Sequence, residues 1–110
     1  MQKNIINFST NWNNKLDCIA FTTIRLKNST KYQIGKEYEI HLKNTLKKRA
    51  RIEGIKLIYF HQINEYIAYI DTGYSSEEEK KIIKKMYSNI NLKTQPFSFI
   101  LLKSLPKNEL

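Results

Sequence analysis

Residues 49–60 read RARIEGIKLIYF, and this stretch determines the fold that the sequence predicts. Alternate side chains of a β-strand point to opposite faces of the sheet, so Ala50 and Ile52 share one face. After Gly54 the apolar residues follow the opposite parity, beginning with Ile55. A β-bulge at this change of phase would re-aim the strand and bend it. A strand bent in this way belongs in a small curled sheet or barrel.

The segments on either side supply the other strands. EYEIHLKN, at 37–44, alternates apolar and polar residues, and the turn KNTLKK would join it to the strand 49–60. FTTIRL, at 21–26, is rich in β-branched residues and predicts another strand. FSFILLK, at 97–103, is apolar on both faces, which indicates a central position in the sheet. Residues 5–8 suggest a short opening strand.

Helices are predicted in three places. A short helix is expected from Trp12 to Leu16, and Gln62–Ile70 spaces its apolar residues at helical intervals. Ser75–Tyr87 is the clearest helix, because a capping box begins it, either Ser75 with Glu78 or the adjacent register one residue later. The chain of 110 residues is therefore predicted to be one α+β domain, 1–110, with a small curled, mainly antiparallel β-barrel flanked by helices.

Composition suggests an anionic partner. The net charge is +9 and the pI is about 9.7, values that often accompany nucleic-acid binding. Lys47, Arg49 and Arg51 share one face of the long strand and could contact phosphates without regard to base sequence. The alternatives are a solubilising hairpin and the lysine-rich, isoleucine-rich composition that AT-rich coding DNA produces by itself.

Several classes of site and location are not favoured by the sequence. Its apolar runs stop at four to six residues, too short for a membrane span. Cys18 is the single cysteine, and neither His41 nor His61 has metal-ligand spacing around it, so we expect no metal and no cofactor. A cytoplasmic monomer is the simplest expectation.

The strand 21–26 carries one of only three arginines in the chain. Thr22 begins the face predicted to be core, whereas Thr23 and Arg25 point the other way and place a hydroxyl beside a guanidinium. Arginine donates hydrogen bonds in a fixed, bidentate geometry, which suits a phosphate, a carboxylate or a base edge. The alternatives are an ion pair between Arg25 and an acidic residue of the neighbouring strand, Glu37 or Glu39, and an arginine that is simply hydrated at a sheet edge.

The order of these elements resembles the ASCH domain family, a branch of the PUA-like superfamily, over roughly Phe8 to Lys103. The resemblance depends on Thr23 and Arg25 in a T-x-R strand and on Gly35 in the turn before the next strand. The helix Ser75–Tyr87 and the last strand also fall where the family places them. This resemblance implies a β-barrel flanked by helices, with a cleft that accepts RNA or a modified nucleoside.

Two functions follow from the resemblance. Most ASCH-like domains are regarded as RNA or nucleic-acid binding modules, and here Tyr74 could stack on a base or pack against the start of the helix. Some small bacterial members instead resemble amidohydrolases that remove an acyl group from the exocyclic nitrogen of cytidine. A third class, a small interaction protein of the phage type, fits the size and the charge.

The hydrolase motif is incomplete in the sequence. The family's hydrolases use a lysine three residues before the strand threonine, together with a downstream glutamate, but Ala20 stands at the lysine position and Asp71 is the nearest carboxylate. Thr23 would be a weak nucleophile without a base. Lys15 could reach it only if the intervening segment folds back. The sequence therefore predicts binding of RNA, single-stranded nucleic acid or a modified nucleoside, without hydrolysis.

Overall fold

The computed structural model describes residues 4–106, so both ends of the predicted domain 1–110 lie outside the described residues. In this part of the chain a five-stranded sheet is combined with two α-helices and two short 3₁₀ segments. In chain order the elements are β1 (Ile5–Phe8), a first 3₁₀ segment (Trp12–Asp17), β2 (Ala20–Leu26), β3 (Glu37–Leu42), β4 (Thr45–Ile58), a second 3₁₀ segment (Phe60–Gln62), α1 (Glu65–Asp71), α2 (Ser76–Met86) and β5 (Phe97–Ser104).

The sheet has the strand order β1-β3-β4-β5-β2 and curls into a half-barrel. All neighbouring strands are antiparallel except β1 and β3, which run parallel. The last strand in sequence, β5, lies between β4 and β2, as its apolar faces predicted. The prediction of an α+β domain with a curled, mainly antiparallel sheet is confirmed. β1 and β2 form the two edges of the half-barrel.

The predicted bulge lies at Gly54. Ile52 pairs with Leu102 and Gly54 pairs with Leu101, so Glu53 is an extra residue with no counterpart on β5. An extra residue increases the local twist and bends the strand, which is how β4 spans the curved sheet.

The hairpin between β3 and β4 is tighter than predicted. Lys43 and Asn44 have φ values of 51° and 67°, so both residues of a two-residue loop lie in the left-handed region. This is the backbone of a type I′ turn, whose twist matches that of the flanking strands. β4 therefore begins at Thr45, and the prediction that the turn continues to Lys48 is wrong.

The helices agree with the predictions to different degrees. α2 is confirmed, and the Glu78 backbone N–H donates to the Ser75 hydroxyl at 3.2 Å, which selects the first of the two capping registers. The helix predicted over 62–70 is present as α1, but its predicted start is wrong, because the second 3₁₀ segment ends at Gln62 and α1 begins at Glu65. The Asn64 side chain caps α1 by accepting from the Ile67 backbone N–H at 2.9 Å, so α1 begins after Asn64.

The apolar core has two parts, one inside the half-barrel and one between the sheet and the helices. β2 contributes to both, because Phe21 packs inside the half-barrel and Ile24 packs against the helices. Thr23 is only 4 % exposed. The side of β2 predicted to face a ligand is therefore enclosed by the fold, and any ligand must enter a cleft to reach it.

Candidate functional site

A cleft opens where the two edges of the half-barrel approach each other. β1, the first 3₁₀ segment, β2, α1 and α2 all contribute to its walls, and it encloses about 30 Å³. A buried water needs roughly 10–15 Å³ by the same measure, so the inner end has room for about two water-sized groups. The polar side chains that line the cleft are those of Asn7, Ser9, Lys15, Thr23, Arg25, Asp71, Thr72 and Glu79.

Lys15 enters the cleft because the chain before it reverses direction. Asn13 and Asn14 have φ values of 49° and 57°, a left-handed conformation that asparagine tolerates better than most residues. The Leu16 side chain is fully buried, and its backbone N–H donates to the Asn11 side chain at 2.8 Å. This anchored reversal carries the Lys15 amine inward. The segment therefore does fold back, which the sequence could not show.

The Lys15 amine is held by Asp71, the last residue of α1. Its Nζ donates to the Asp71 backbone carbonyl at 2.8 Å and lies 3.3 Å from Asp71 Oδ1. The Thr22 hydroxyl donates to the same Oδ1 at 2.9 Å, so this carboxylate is fixed from two elements. Burial lowers the pKa of Lys15, although the charge of Asp71 opposes this shift. The amine is thus closer to losing its proton than a lysine in water.

Arg25 and Thr23 form a second polar pair in the cleft. Arg25 Nε donates to the Thr23 hydroxyl oxygen at 2.9 Å, and the guanidinium lies over the Phe8 ring, 4.7 Å from its centroid. Burial lowers the pKa of Arg25, yet a guanidinium stays charged in proteins. Thr23 and Arg25 therefore lie together in one cleft, as the strand pattern predicted.

The alternative pairing of Arg25 with β3 is wrong. Glu37 binds Arg49 at 2.7 Å and Arg51 at 2.9 Å, and Glu39 lies 3.0 Å from the His41 ring. Within residues 4–106, no carboxylate lies within ion-pair distance of the Arg25 guanidinium. Its terminal amino groups are available to a ligand.

Glu79 is a site residue that the sequence reasoning missed. It lies on α2, is 2 % exposed and accepts a 2.7 Å hydrogen bond from the Thr72 hydroxyl at Oε1. Burial, followed by the charge of Asp71, raises the pKa of Glu79 to about 8. A signal was present in the sequence: Glu79 precedes Ile82 and Ile83 by three and four residues, so it lies on the apolar stripe of the helix.

Ala20 does not line the cleft. It is exposed at the start of β2. The Lys15 amine lines the cleft instead, which is the alternative that required the intervening segment to fold back. Within the described part of the chain, no cluster of histidine, cysteine and acidic residues could hold a metal ion.

The basic cluster of β4 lies elsewhere. Lys47 pairs with Asp17 at 3.0 Å, and Arg49 and Arg51 both pair with Glu37. None of the three cations lines the cleft. Their ion pairs offset part of the positive charge that the sequence pattern predicted for this face.

Tyr74 lies beside the cleft without lining it. Its ring contacts the Trp12 ring edge-on, with centroids 5.9 Å apart and an interplanar angle of 81°. Trp12 itself lines the cleft, and Tyr74 remains 39 % exposed. An aromatic pair at this position offers a surface on which a planar ring could stack.

Comparison of this chain with protein-family models, curated proteins and solved structures found no match. No helix within residues 4–106 is long and apolar enough to cross a membrane.

Proposed function

We propose that this protein is a small amidohydrolase of the ASCH type, which removes a short acyl group from the exocyclic nitrogen of cytidine or a similar modified nucleoside. The observation that carries the proposal is the Lys15 amine, which lies in the same cleft as Thr23 and is held by Asp71. A hydroxyl, a desolvated amine and a guanidinium together are the parts that acyl transfer requires.

Each polar residue has a role in the proposed reaction. The Thr23 hydroxyl attacks the acyl carbon and passes its proton to the neutral Lys15 amine, while Arg25 stabilises the negative charge that develops on the carbonyl oxygen. Collapse of the tetrahedral intermediate breaks the bond to the nucleoside nitrogen, which takes the proton from Lys15. Water then hydrolyses the acyl-threonine with Lys15 again as base, and the free acid leaves.

The size of the cleft favours a small acyl group. The cleft encloses about 30 Å³, which gives room for a formyl or acetyl group and not for a nucleobase. The base would then remain at the mouth, near Trp12. This orientation places the acyl carbon next to Thr23 and Arg25.

The test is hydrolysis of cytidine acetylated on its exocyclic nitrogen, followed by the release of cytidine. We expect turnover by the purified protein, and a fall of about 10²–10⁴-fold in kcat for Lys15→Ala because the general base is lost. Thr23→Ala should also lose turnover. Lys56→Ala, which removes an exposed lysine of β4, is the matched control and should retain the wild-type rate. Wild-type protein no faster than buffer, or an unaffected Lys15→Ala variant, would refute the proposal.

RNA binding is a second candidate function. The net charge of +9 and the free amino groups of Arg25 favour an anionic or base-bearing ligand. Such binding is compatible with a nucleoside site, because a modified base within a strand could enter the cleft.

A further inference from the structure

We infer that Glu79 is a positioning residue of the cleft: in its protonated form it donates a hydrogen bond to Asp71, and this bond keeps the Lys15 amine able to accept a proton. The kinetic part of this inference rests on the proposed hydrolase function. The shared proton itself does not depend on any substrate.

Two buried carboxyl groups in one small cleft are the geometric basis. Glu79 and Asp71 are 2 % and 4 % exposed and both line the cleft, and Thr72, which follows Asp71 in the chain, donates to Glu79 Oε1 at 2.7 Å. Ionised carboxylates only accept hydrogen bonds and repel each other, so a buried pair of this kind requires a proton on one of them. Asp71 already accepts from Lys15 and from the Thr22 hydroxyl. The proton therefore belongs on Glu79.

The charges that face Glu79 agree with this assignment. Asp71 lies on α1, Lys15 on the first 3₁₀ segment and Arg25 on β2, and all of them line the cleft with Glu79. Two ionised carboxylates side by side in a buried site repel each other, and one of them retains its proton. Thr72 donates to Glu79 Oε1, which leaves the other oxygen to carry the proton toward Asp71.

A proton shared between Glu79 and Asp71 would affect how strongly Lys15 holds its own proton. A fully ionised Asp71 with no competing donor would hold the Lys15 proton strongly, because an opposite charge favours the charged form of the amine. When Glu79 donates to Asp71, that negative charge is partly satisfied and its hold on the amine weakens. Loss of the Glu79 proton at high pH would restore the strong pair and add a second negative charge near Lys15.

The experiment compares two substitutions at this position across pH. Glutamine resembles protonated Glu79: it can accept from Thr72 and donate to Asp71, but it cannot ionise. We expect Glu79→Gln to keep near-wild-type kcat/KM at pH 7 and to lack any loss of rate that Glu79 ionisation causes at alkaline pH. Glu79→Ala should lower kcat/KM about tenfold, because Asp71 without the Glu79 proton would raise the pKa of Lys15 and reduce its neutral fraction. Glu78→Gln, on the exposed side of α2, is the control.

A second measurement is independent of catalysis. Carbon NMR of the side-chain carboxyls should show Glu79 protonated at pH 6, with a pKa well above the ordinary value of 4.5. If wild type lacks hydrolase activity but Glu79 is protonated, the proposed function fails and the shared proton stands. An ionised Glu79 at pH 6 would overturn the inference, as would a Glu79→Gln variant that loses as much activity as Glu79→Ala.

Discussion

Arg25 is held by two contacts of one planar guanidinium, which the single amine of a lysine could not make in the same geometry. Its Nε donates to Thr23, and its planar group lies over the Phe8 ring. Hydrogen bonds to charged groups contribute about 1.5–3 kcal/mol, so Arg25→Lys should lower kcat/KM by roughly 10–100-fold. The matched control is Arg49→Lys, since Arg49 lies outside the cleft and should tolerate the change. Equal activity of both variants would show that the guanidinium fork has no role.

The raised pKa of Glu79 predicts how the stability of the fold changes with pH. This pKa is about 8 in the folded protein, against an ordinary value of 4.5. Between these values the folded state holds a proton that the unfolded state has released, so this contribution to stability is complete below pH 4.5 and is lost as pH rises toward 8. Urea unfolding should therefore show that, between pH 4.5 and 8, the free energy of unfolding of the wild type falls relative to that of Glu79→Gln by up to about 1.4 kcal/mol per pH unit. Parallel pH curves for the two proteins would contradict it.

Residues of the cleft differ in how far the sequence could predict them. Thr23 and Arg25 were predicted because alternation along one strand places them together. The position of the Lys15 side chain depends on the left-handed backbone of Asn13 and Asn14, and no periodic pattern in the sequence indicates such a backbone. Glu79 reads as an ordinary first-turn acid of a helix, and only its register with the apolar stripe indicates burial.

At the scale of elements, the first 3₁₀ segment is what delivers Lys15. Asn14 is exposed with a φ of 57°, and its role is conformational. Asn14→Ala should cost about 1–2 kcal/mol, the penalty for a Cβ-bearing residue in this region, whereas Asn14→Gly should be nearly neutral. Thermal unfolding would measure both. If alanine and glycine are equally tolerated, the reversal is not fixed by this residue.

Gly73, just after α1, contacts the first 3₁₀ segment closely, and this contact can be tested by substitution. Gly73 has a φ of 82°, and an added Cβ would collide with the Asn13 side chain, which itself donates to the Thr72 carbonyl. Gly73→Ala should destabilise the fold and displace the first 3₁₀ segment, so that hydrolase activity falls with stability. Gly35→Ala is the control, because Gly35 has a similar φ of 87° but open space around it. The Gly35→Ala variant should retain hydrolase activity although its backbone strain is comparable.

Elements were predicted better than their ends. The long strand, its bulge at Gly54 and α2 follow from local patterns, namely alternation, a change of phase and a cap. The early start of β4 was missed because KNTLKK is polar except for Leu46, although only Lys43 and Asn44 form the turn. The start of α1 was predicted too early because Ile63, which precedes the cap at Asn64, continues the apolar spacing of helical period.

At the scale of the whole molecule, the charge should produce weak and salt-dependent RNA binding. Arg49 and Arg51 share Glu37, so the three side chains together carry a net charge of +1 and can neutralise about one phosphate. The slope of log K against log salt should therefore flatten by about one unit for the double alanine variant, and not two. Filter binding of single-stranded RNA at several salt concentrations measures this slope. An unchanged slope would identify the cluster as a solubilising surface.

The position of β5 has a consequence for how the protein is made. Within residues 4–106, the neighbour of β2 in the sheet is β5, and Thr23 pairs with Ile100. Until residues 97–104 have been synthesised, the strand that carries Thr23 and Arg25 therefore lacks this neighbour. Pairings so distant in sequence close slowly. Trp12, the single tryptophan, lines the cleft, so the change in its fluorescence during refolding would report when the cleft forms.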